Sequence, residues 1–269
     1  MLVFVPNRGG SEGECNIICR SLSFIKMLIM KKTVLSAVLV LAGILAFAQG
    51  TKVVNDKYAV KRSVQGYHGV VISSGIDLYL NQGGEEAVAV SSSDPEMRDR
   101  IITAVENGVL HIYIENKGWH WNWSGDKHLK AYVSCKVLDE LRASGGSDVY
   151  IDGAIQSDKL AIHLSGGSDL HGKATVSDLT VEQSGGSDSY IGGSATHLHI
   201  HASGGSDFHG YDLATDNCQA DASGGSDIYV TVNKELDAET SGGSDVHYKG
   251  NGVIREVHSS GSGSISKRD

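Results

Sequence analysis

One pentapeptide, Ser-Gly-Gly-Ser-Asp, occurs six times in the C-terminal half of this chain and constrains the fold more than any other feature. Successive copies begin about 20 residues apart, and repeats of this length are typical of solenoids, in which each repeat forms one coil, or rung, that stacks on the next. The copies begin at Ser144, Ser165, Ser184, Ser203, Ser223 and Ser241.

Alignment of the six copies reveals columns of similar residues on both sides of the motif. The residue after each Asp is apolar in five copies, and the residue three positions before the motif is apolar in all six. Apolar residues at alternate positions indicate strands with one buried face. We therefore predict an all-β fold, a right-handed parallel β-helix (solenoid) with rungs of about 18–21 residues, stacked about 4.8 Å apart. An antiparallel sandwich is the alternative, although turns in such a fold usually recur about every 8–12 residues, more often than the motif does here.

The segments before and after the repeats predict the domain boundaries. A start at Met30, two lysines, an apolar run over residues 34–47 and a cleavage site after Ala48 are typical of a secretory signal peptide. The apolar run is shorter than the roughly 20 residues that span a membrane, so a signal-anchor is the less favoured alternative. The predicted segments are a signal peptide region over 1–48, a leader or linker over 49–64, the β-helix over 65–258 and a degenerate cap or tail over 259–269.

The charge of the chain excludes two classes of partner. Asp and Glu number 32 against 23 Lys and Arg. Nucleic acids and anionic membranes are bound through basic surfaces, so we expect neither as a partner. We also predict no membrane span in the mature chain and an exported location, in the periplasm, on the outer surface or outside the cell.

Only two cysteines, Cys135 and Cys218, follow the predicted signal peptide. Cys218 occupies a column that holds leucine in four other copies of the repeat. This favours buried free thiols over a disulfide between the two, which an oxidising compartment would permit.

Four features together resemble one protein family. They are the signal peptide, residues 70–80 (VVISSGIDLYL), residues 107–112 (NGVLHI), whose Asn-Gly pair predicts a tight turn or hairpin, and residues 138–149 (LDELRASGGSDV). The chain is similar over residues 66–258 to the putative auto-transporter adhesin, head GIN domain family of exported proteins from Gram-negative bacteria. The resemblance implies a β-helical fold, a surface or periplasmic setting and adhesion, with no catalytic residues common to the family.

A column of aspartates is the first candidate site. Unit charges about 5 Å apart repel by about 0.8 kcal/mol in water, which buried apolar columns can outweigh. We therefore favour a structural ladder capped by turn Ser and Gly groups, with calcium binding as the alternative and no other cofactor expected. The column comprises Asp148, Asp169, Asp188, Asp207, Asp227 and Asp245.

A column of aromatic and imidazole rings follows two positions after each Asp, on the same strand face. The favoured interpretation is stacking that stabilises neighbouring rungs, and the alternatives are a binding stripe for glycans or transition-metal sites. The column is predicted to face solvent and comprises Tyr150, His171, Tyr190, His209, Tyr229 and His247.

Three alternating tryptophans, Trp119, Trp121 and Trp123, lie on one face of a segment if it is extended. The favoured interpretation is that these tryptophans cover one end of the core, and the alternative is that they stack on sugars. His197, His199 and His201 also alternate along one strand; a solvated strand face is favoured over zinc binding because neighbouring ligands are not evident.

Catalytic motifs are missing from the sequence, which contains no G-x-S-x-G, H-E-x-x-H or P-loop pattern. We therefore predict a non-catalytic, adhesin-like binding module that contacts a glycan or a surface protein. The alternatives are a β-helical carbohydrate-active enzyme, a lyase or hydrolase, and a structural component of the cell envelope. A cleft lined by non-repeating carboxylates would favour the enzyme, and an uninterrupted ladder would favour the binding module.

Overall fold

The computed structural model describes residues 55–115 and 128–269, and in this part of the chain the regular structure is β-strand apart from one short helix, α1 (Pro95–Asp99). The strands are β1 (Val60–Arg62), β2 (Gly69–Ile72), β3 (Asp77–Gln82), β4 (Ala87–Ser91), β5 (Ile101–Glu106), β6 (Val109–Ile114), β7 (Lys130–Cys135), β8 (Glu140–Ala143), β9 (Val149–Asp152), β10 (Ile155–Leu164), β11 (Leu170–Gln183), β12 (Ser189–Ala202), β13 (Phe208–Gly224), β14 (Asp227–Gly242), β15 (Asp245–Lys249), β16 (Val253–Gly261) and β17 (Ser264–Lys267).

The repeats stack in parallel, as their periodicity predicts. Strands β10 to β14 each pair in parallel with the next, and β11, β12 and β13 each run from one SGGSD motif to the following one. The column five residues before the motif is in register, with Leu179 opposite Leu198 and Leu198 opposite Cys218. The predicted parallel β-solenoid and its columns are thus confirmed.

The first rung of the chain does not lie at the end of the stack. Strand β2 pairs with β6 on one side and β8 on the other, and β3 pairs in the same way with β7 and β9. The rung formed by β6 and β7 therefore lies outside the rung that precedes it in the sequence. A simple succession of rungs, which the C-terminal repeats suggest, does not hold here because the chain turns back through β4 and β5 before it continues.

Antiparallel strands close this end of the stack. Strand β5 pairs with β6 through the predicted tight turn, in which Asn107 and Gly108 have φ of 51° and 81°. Strand β4 pairs antiparallel with β7 and with β1. Strand β1 lies within the segment expected to be a leader or linker, so part of that segment contributes to the sheet.

The core consists of the inward columns, and two of their polar members, Ser189 and Gln183, are hydrogen-bonded to each other. Ser189 stands where the other copies have an apolar residue, and it is fully buried. Its hydroxyl donates to Gln183 Oε1 at 2.6 Å, and Gln183 Nε2 donates to the carbonyls of Ser187 and Asp207, both at 2.9 Å. A buried polar group with its bonds made costs little, so the exception to the apolar column is tolerated.

Cys135 and Cys218 are both free and buried, as the leucine column predicts. Cys218 lies between Leu198 and Leu236 in that column. Burial raises the pKa of the Cys135 thiol to about 11, and it raises the pKa of Cys218 as well. Both thiols are therefore protonated core groups at neutral pH.

Leu198→Asp tests the inward column. Leu198 is almost fully buried, and an unpaired carboxylate there is expected to cost more than about 4 kcal/mol, so the variant should fail to accumulate as folded protein. The matched control is His199→Asp, one residue along on the exposed face, which should melt within a few degrees of the unmodified protein by circular dichroism. A well-folded Leu198→Asp protein with unchanged melting would contradict the assigned faces.

Candidate binding surface

The ring column forms a continuous stack along the solenoid. The centroids of His171 and Tyr190 are 4.7 Å apart with an interplanar angle of 5°, and those of Tyr190 and His209 are 4.4 Å apart at 10°. Parallel pairing in register produces this stack, since equivalent residues of successive rungs lie directly above one another. We call the complete stack the ring ladder; its members, in spatial order, are Tyr132, Tyr79, Tyr150, His171, Tyr190, His209, Tyr229 and His247.

Two members of the ring ladder are missed by the repeat alignment. Tyr79 stacks on Tyr150 at 5.3 Å and on Tyr132 at 5.3 Å. Tyr79 follows Asp77 by two residues in the degenerate copy Ser-Gly-Ile-Asp, so the same spacing identifies it once that copy is aligned. Tyr132 has no such signal, because Lys130 stands where the repeats have Asp.

Solvent exposure decreases towards the C-terminal end of the ring ladder. Tyr150 and Tyr190 are 36% and 42% exposed, whereas His247 is only 7% exposed. The prediction that the whole column faces solvent is wrong at His247. Its Nδ1 lies 2.8 Å from the Ser266 hydroxyl and 3.3 Å from Arg268 Nε, so β17 and the residue after it cover the ring.

Stacking leaves the edges of the inner rings, and not their faces, for contact with solvent. His171 lies between Tyr150 and Tyr190, and the interplanar angles on its two sides are 6° and 5°. A sugar that stacks on an aromatic face needs that face to be open. The exposed part of the ladder instead presents a row of hydrogen-bonding groups, phenol hydroxyls alternating with imidazole nitrogens.

The aspartate column forms a hydrogen-bonded ladder of its own. Oδ1 of Asp207 accepts the backbone N–H of Asp227 at 2.9 Å, and Oδ1 of Asp188 accepts that of Asp207 at 3.1 Å. The same bond recurs along the column at 3.2 Å for three further pairs. Each carboxylate therefore satisfies a backbone donor at the point where the turn leaves the strand ladder. We call these six residues, Asp148, Asp169, Asp188, Asp207, Asp227 and Asp245, the aspartate ladder.

Glycine and serine in the motif allow the turns to approach one another closely. Gly204 has φ of 81°, and a Cβ on it would lie 2.8 Å from the Gly185 carbonyl oxygen. The amide of Gly205 donates to that same oxygen at 2.8 Å. The buried hydroxyl of Ser206 donates to the Ser203 carbonyl at 3.0 Å within the turn. Both the backbone conformation and the inter-rung contact require glycine at the first of the two positions.

Partial burial and the neighbouring aspartate ladder both raise the pKa of tyrosines in the ring ladder. Partial burial, followed by the charges of the nearby aspartates, raises the pKa of Tyr150, Tyr190 and Tyr229. The hydroxyl of Tyr229 also donates to Asp227 Oδ2 at 3.3 Å. The two ladders thus form one polar, acidic stripe whose phenols act as donors at neutral pH.

No grouping of side chains in the described part of the chain is suited to a metal ion. Within residues 55–115 and 128–269 there is no cluster of three or more His, Cys, Asp or Glu placed to hold one. The backbone bonds of the aspartate ladder support the structural interpretation. Calcium binding by that column stays a prediction that a melting experiment can test.

The three alternating histidines lie on another surface of the solenoid, on the strand that precedes the turn. His197, His199 and His201 are all exposed. Nδ1 of His199 lies 3.3 Å from Gln219 Oε1, and Nδ1 of His197 lies 3.4 Å from Asn217 Nδ2. The tryptophans Trp119, Trp121 and Trp123 lie outside the described residues.

The carboxylates of the solenoid wall border an open depression and not a closed cleft. Oδ1 of Asp139 in this depression lies 2.7 Å from His68 Nδ1, within hydrogen-bonding distance, and Nζ of Lys159 lies 3.7 Å from Asp178 Oδ2. Val137 at its rim is 52% exposed. The residues that line it are Val137, Asp139, Gln156, Ser157, Asp158, Lys159 and Thr175.

Comparison with known proteins identifies the fold and the family. A family model described as putative auto-transporter adhesin, head GIN domain matches residues 66–252. The structure of a putative adhesin from Bacteroides fragilis is similar with a TM-score of 0.71 and 20% identity, over 81% of this chain and 100% of that one. The structure of a putative adhesin from Parabacteroides merdae has a TM-score of 0.64 and 15% sequence identity, over 78% of this chain and 95% of that one. The structure of a putative lipid binding protein from Parabacteroides distasonis has a TM-score of 0.63 and 20% sequence identity, over 78% of this chain and 96% of that one. No curated protein matches.

At sequence identities of 15–20%, these structural similarities establish the fold.

Among the described residues, no helix has the length and apolar character needed to cross a membrane.

Asp207→Ala and Asp207→Asn separate the hydrogen bond of the aspartate ladder from its charge. Alanine leaves the partly buried N–H of Asp227 without its acceptor and should lower the free energy of unfolding by about 1–3 kcal/mol. Asparagine keeps an acceptor oxygen and removes repulsion between neighbouring carboxylates, so it should stay within about 1 kcal/mol of the unmodified protein.

The same denaturant titrations, made in calcium and in EDTA, test the alternative role. We expect equal stability in both solutions. If calcium stabilised the unmodified protein and Asp207→Asn abolished the effect, the column would be a set of ion sites.

His209→Ala and His247→Ala test the gradient along the ring ladder. His209 is half-exposed and stacked on both sides, so its loss should cost about 1 kcal/mol. His247 is buried, and its removal also strips Ser266 and Arg268 of a partner, so it should cost about 2–3 kcal/mol. Thermal or urea unfolding measures both, and a greater loss for His209 would contradict the burial described above.

Proposed function

The chain belongs to the putative auto-transporter adhesin, head GIN domain family, and from that membership we propose that it is an exported, non-catalytic binding module of the cell surface. The observation that carries the proposal is the uninterrupted ring ladder, which presents polar edges on successive rungs of a rigid frame. Its contact surface is the exposed middle of the stripe, around Tyr150, His171 and Tyr190.

The ligand that suits this surface is a linear, neutral glycan. Rungs stack about 4.8 Å apart, so a polymer lying along the solenoid axis meets a new phenol or imidazole at every rung. Sugar hydroxyls both donate and accept, and they can pair with the tyrosine hydroxyls, the imidazole nitrogens and the second oxygens of the aspartates. Binding by ring edges in this way needs no open aromatic face.

The charge of the stripe selects against anionic polymers. The aspartate ladder runs beside the exposed rings, one carboxylate on each rung, and like charges repel an approaching polyanion. Acidic polysaccharides, nucleic acids and anionic lipid surfaces are therefore disfavoured relative to a neutral glycan. A surface protein with a basic segment is the alternative ligand.

Catalysis finds less support than binding does. The carboxylates of the stripe repeat at one position instead of converging across a cleft, and Asp139 in the open depression is already hydrogen-bonded to His68. Glycosidases use two carboxyl groups that flank one bond. A structural role in the envelope, without a small ligand, remains the third alternative.

Binding of the purified protein to arrayed neutral and acidic glycans tests the proposal. Calorimetry then measures the affinity of the best neutral glycan for the double variant His171→Phe/Tyr190→Phe, which keeps both rings and removes their polar edges. We expect the affinity to fall about tenfold or more, since each lost hydrogen bond is worth about 0.5–1.5 kcal/mol.

The control variant is His199→Phe, which makes the same kind of change on another exposed surface and should bind as the unmodified protein does. Thermal melts of all variants exclude a loss of folding. Absence of binding to any neutral glycan, equal binding by the double variant, or release of cleaved sugar products would each contradict the proposal.

A further inference from the structure

The C-terminal end of the solenoid exposes apolar side chains that continue the core. All nine residues of β16 are exposed, and Ile254 and Val257 are 38% and 47% exposed. Ile254 pairs with Leu236 and Val257 with Ala238, both of which are buried members of inward columns. A shift in pairing at Arg255 places Ile254 and Val257, three residues apart, on the same inward face.

The backbone at this end also has an open edge. Within the described residues, β16 pairs with β14 on one side and β17 with β15 on one side. Alternate residues of each strand therefore direct their N–H and C=O groups away from the stack. A long, exposed and apolar edge strand is a site at which another strand adds.

The opposite end of the stack has edge strands of a different kind. Strand β1, which pairs with β4 there, has three residues, two of which are Lys61 and Arg62. Short strands with positive charges discourage edge-to-edge pairing, so β1 is a poor partner for β16. Within the described residues, β5 at this end pairs with β6 on one side.

The last rung does not continue the aspartate ladder. Ser264 stands where the repeats have Asp, and it donates its hydroxyl to Asp245 Oδ1 at 2.7 Å. Gly263 stands where the repeats have the buried serine. The turn of this rung therefore has no carboxylate that could accept a further backbone N–H.

We propose that β16 pairs antiparallel with β16 of a second copy of this chain, in a two-fold, tail-to-tail dimer. In the pairing centred between Arg255 and Glu256, Ile254 lies opposite Val257 of the second copy on the inward face. Arg255, whose guanidinium also pairs with Glu235 at 3.0 Å, lies opposite Glu256 of the second copy, so the strand is complementary to itself in charge. Two-fold pairing of one patch with itself forms a closed assembly, which brings the two cores together and occupies the open edge of β16 in each copy.

Sedimentation velocity over a range of concentrations, with the purified protein, tests the dimer. The unmodified protein should show a dimer that dissociates on dilution. Val257→Lys, which brings charge into the joined cores, should raise the dissociation constant about a hundredfold or more. Val253→Lys is the matched control, because Val253 is 67% exposed but pairs with Glu235 on the outward face, and it should leave the dimer intact.

Thermal melts at low concentration should show both lysine variants folded. A monomeric unmodified protein at all concentrations, or an unchanged dimer of Val257→Lys, would overturn the proposal.

Disulfide formation tests the antiparallel pairing directly. Arg255→Cys and Glu256→Cys proteins, mixed and oxidised, should form a mixed disulfide more rapidly than either variant alone, because directly opposite residues lie within disulfide distance. The native Cys135 and Cys218 are buried, so we expect neither to form a disulfide with the introduced cysteines. Equal rates for the mixture and the single variants would overturn the proposed pairing.

Discussion

The fold depends on how closely the backbones of successive SGGSD turns approach one another. The first glycine of each motif takes a positive φ and leaves room for an amide of the next rung, which donates to its carbonyl oxygen at 2.7 Å in the case of Gly225 and Gly204. The Asp Oδ1 then accepts the following N–H, so inter-rung bonding runs through the turn without a gap. This contact recurs between successive rungs from Gly166 to Ser262, where it helps to fix the register that places leucine on leucine and ring on ring.

The same ladders that hold the rungs together also provide the outer surface, and they do so with different atoms. Each inner ring uses its two faces for stacking and leaves its edge to solvent. Each aspartate uses one carboxylate oxygen for the next backbone amide, and in Asp227 the second oxygen accepts from the Tyr229 hydroxyl. The ring faces and carboxylate oxygens that hold the rungs together are therefore different groups from the ring edges that remain exposed to solvent.

The sequence predicts the repeated part of this structure well because every copy supplies the same evidence. Leu198, Cys218 and the six ring positions are assigned to the correct columns by alignment alone. Outside the repeated segment, alignment of the motif copies does not predict which residues join the columns. Tyr132 joins the ring ladder through a rung with no motif, and that rung lies outside its predecessor in the stack. The burial of His247 depends on Arg268 and on Ser266, which stands in the ring column where the preceding repeats have an aromatic or imidazole ring.

The ends of a solenoid present a problem that the repeat itself cannot solve. An interior rung has a neighbour on each side, so its apolar columns and backbone edges are covered by copies of themselves. At one end this chain departs from the repeat and folds antiparallel strands over the last rung, ending in a short basic strand. At the other end it keeps the apolar columns at Ile254 and Val257, and within the described residues β16 has one open backbone edge. Exposed apolar side chains beside an open edge favour the addition of a strand, and a second copy of β16 supplies one whose Arg255 and Glu256 are complementary in charge.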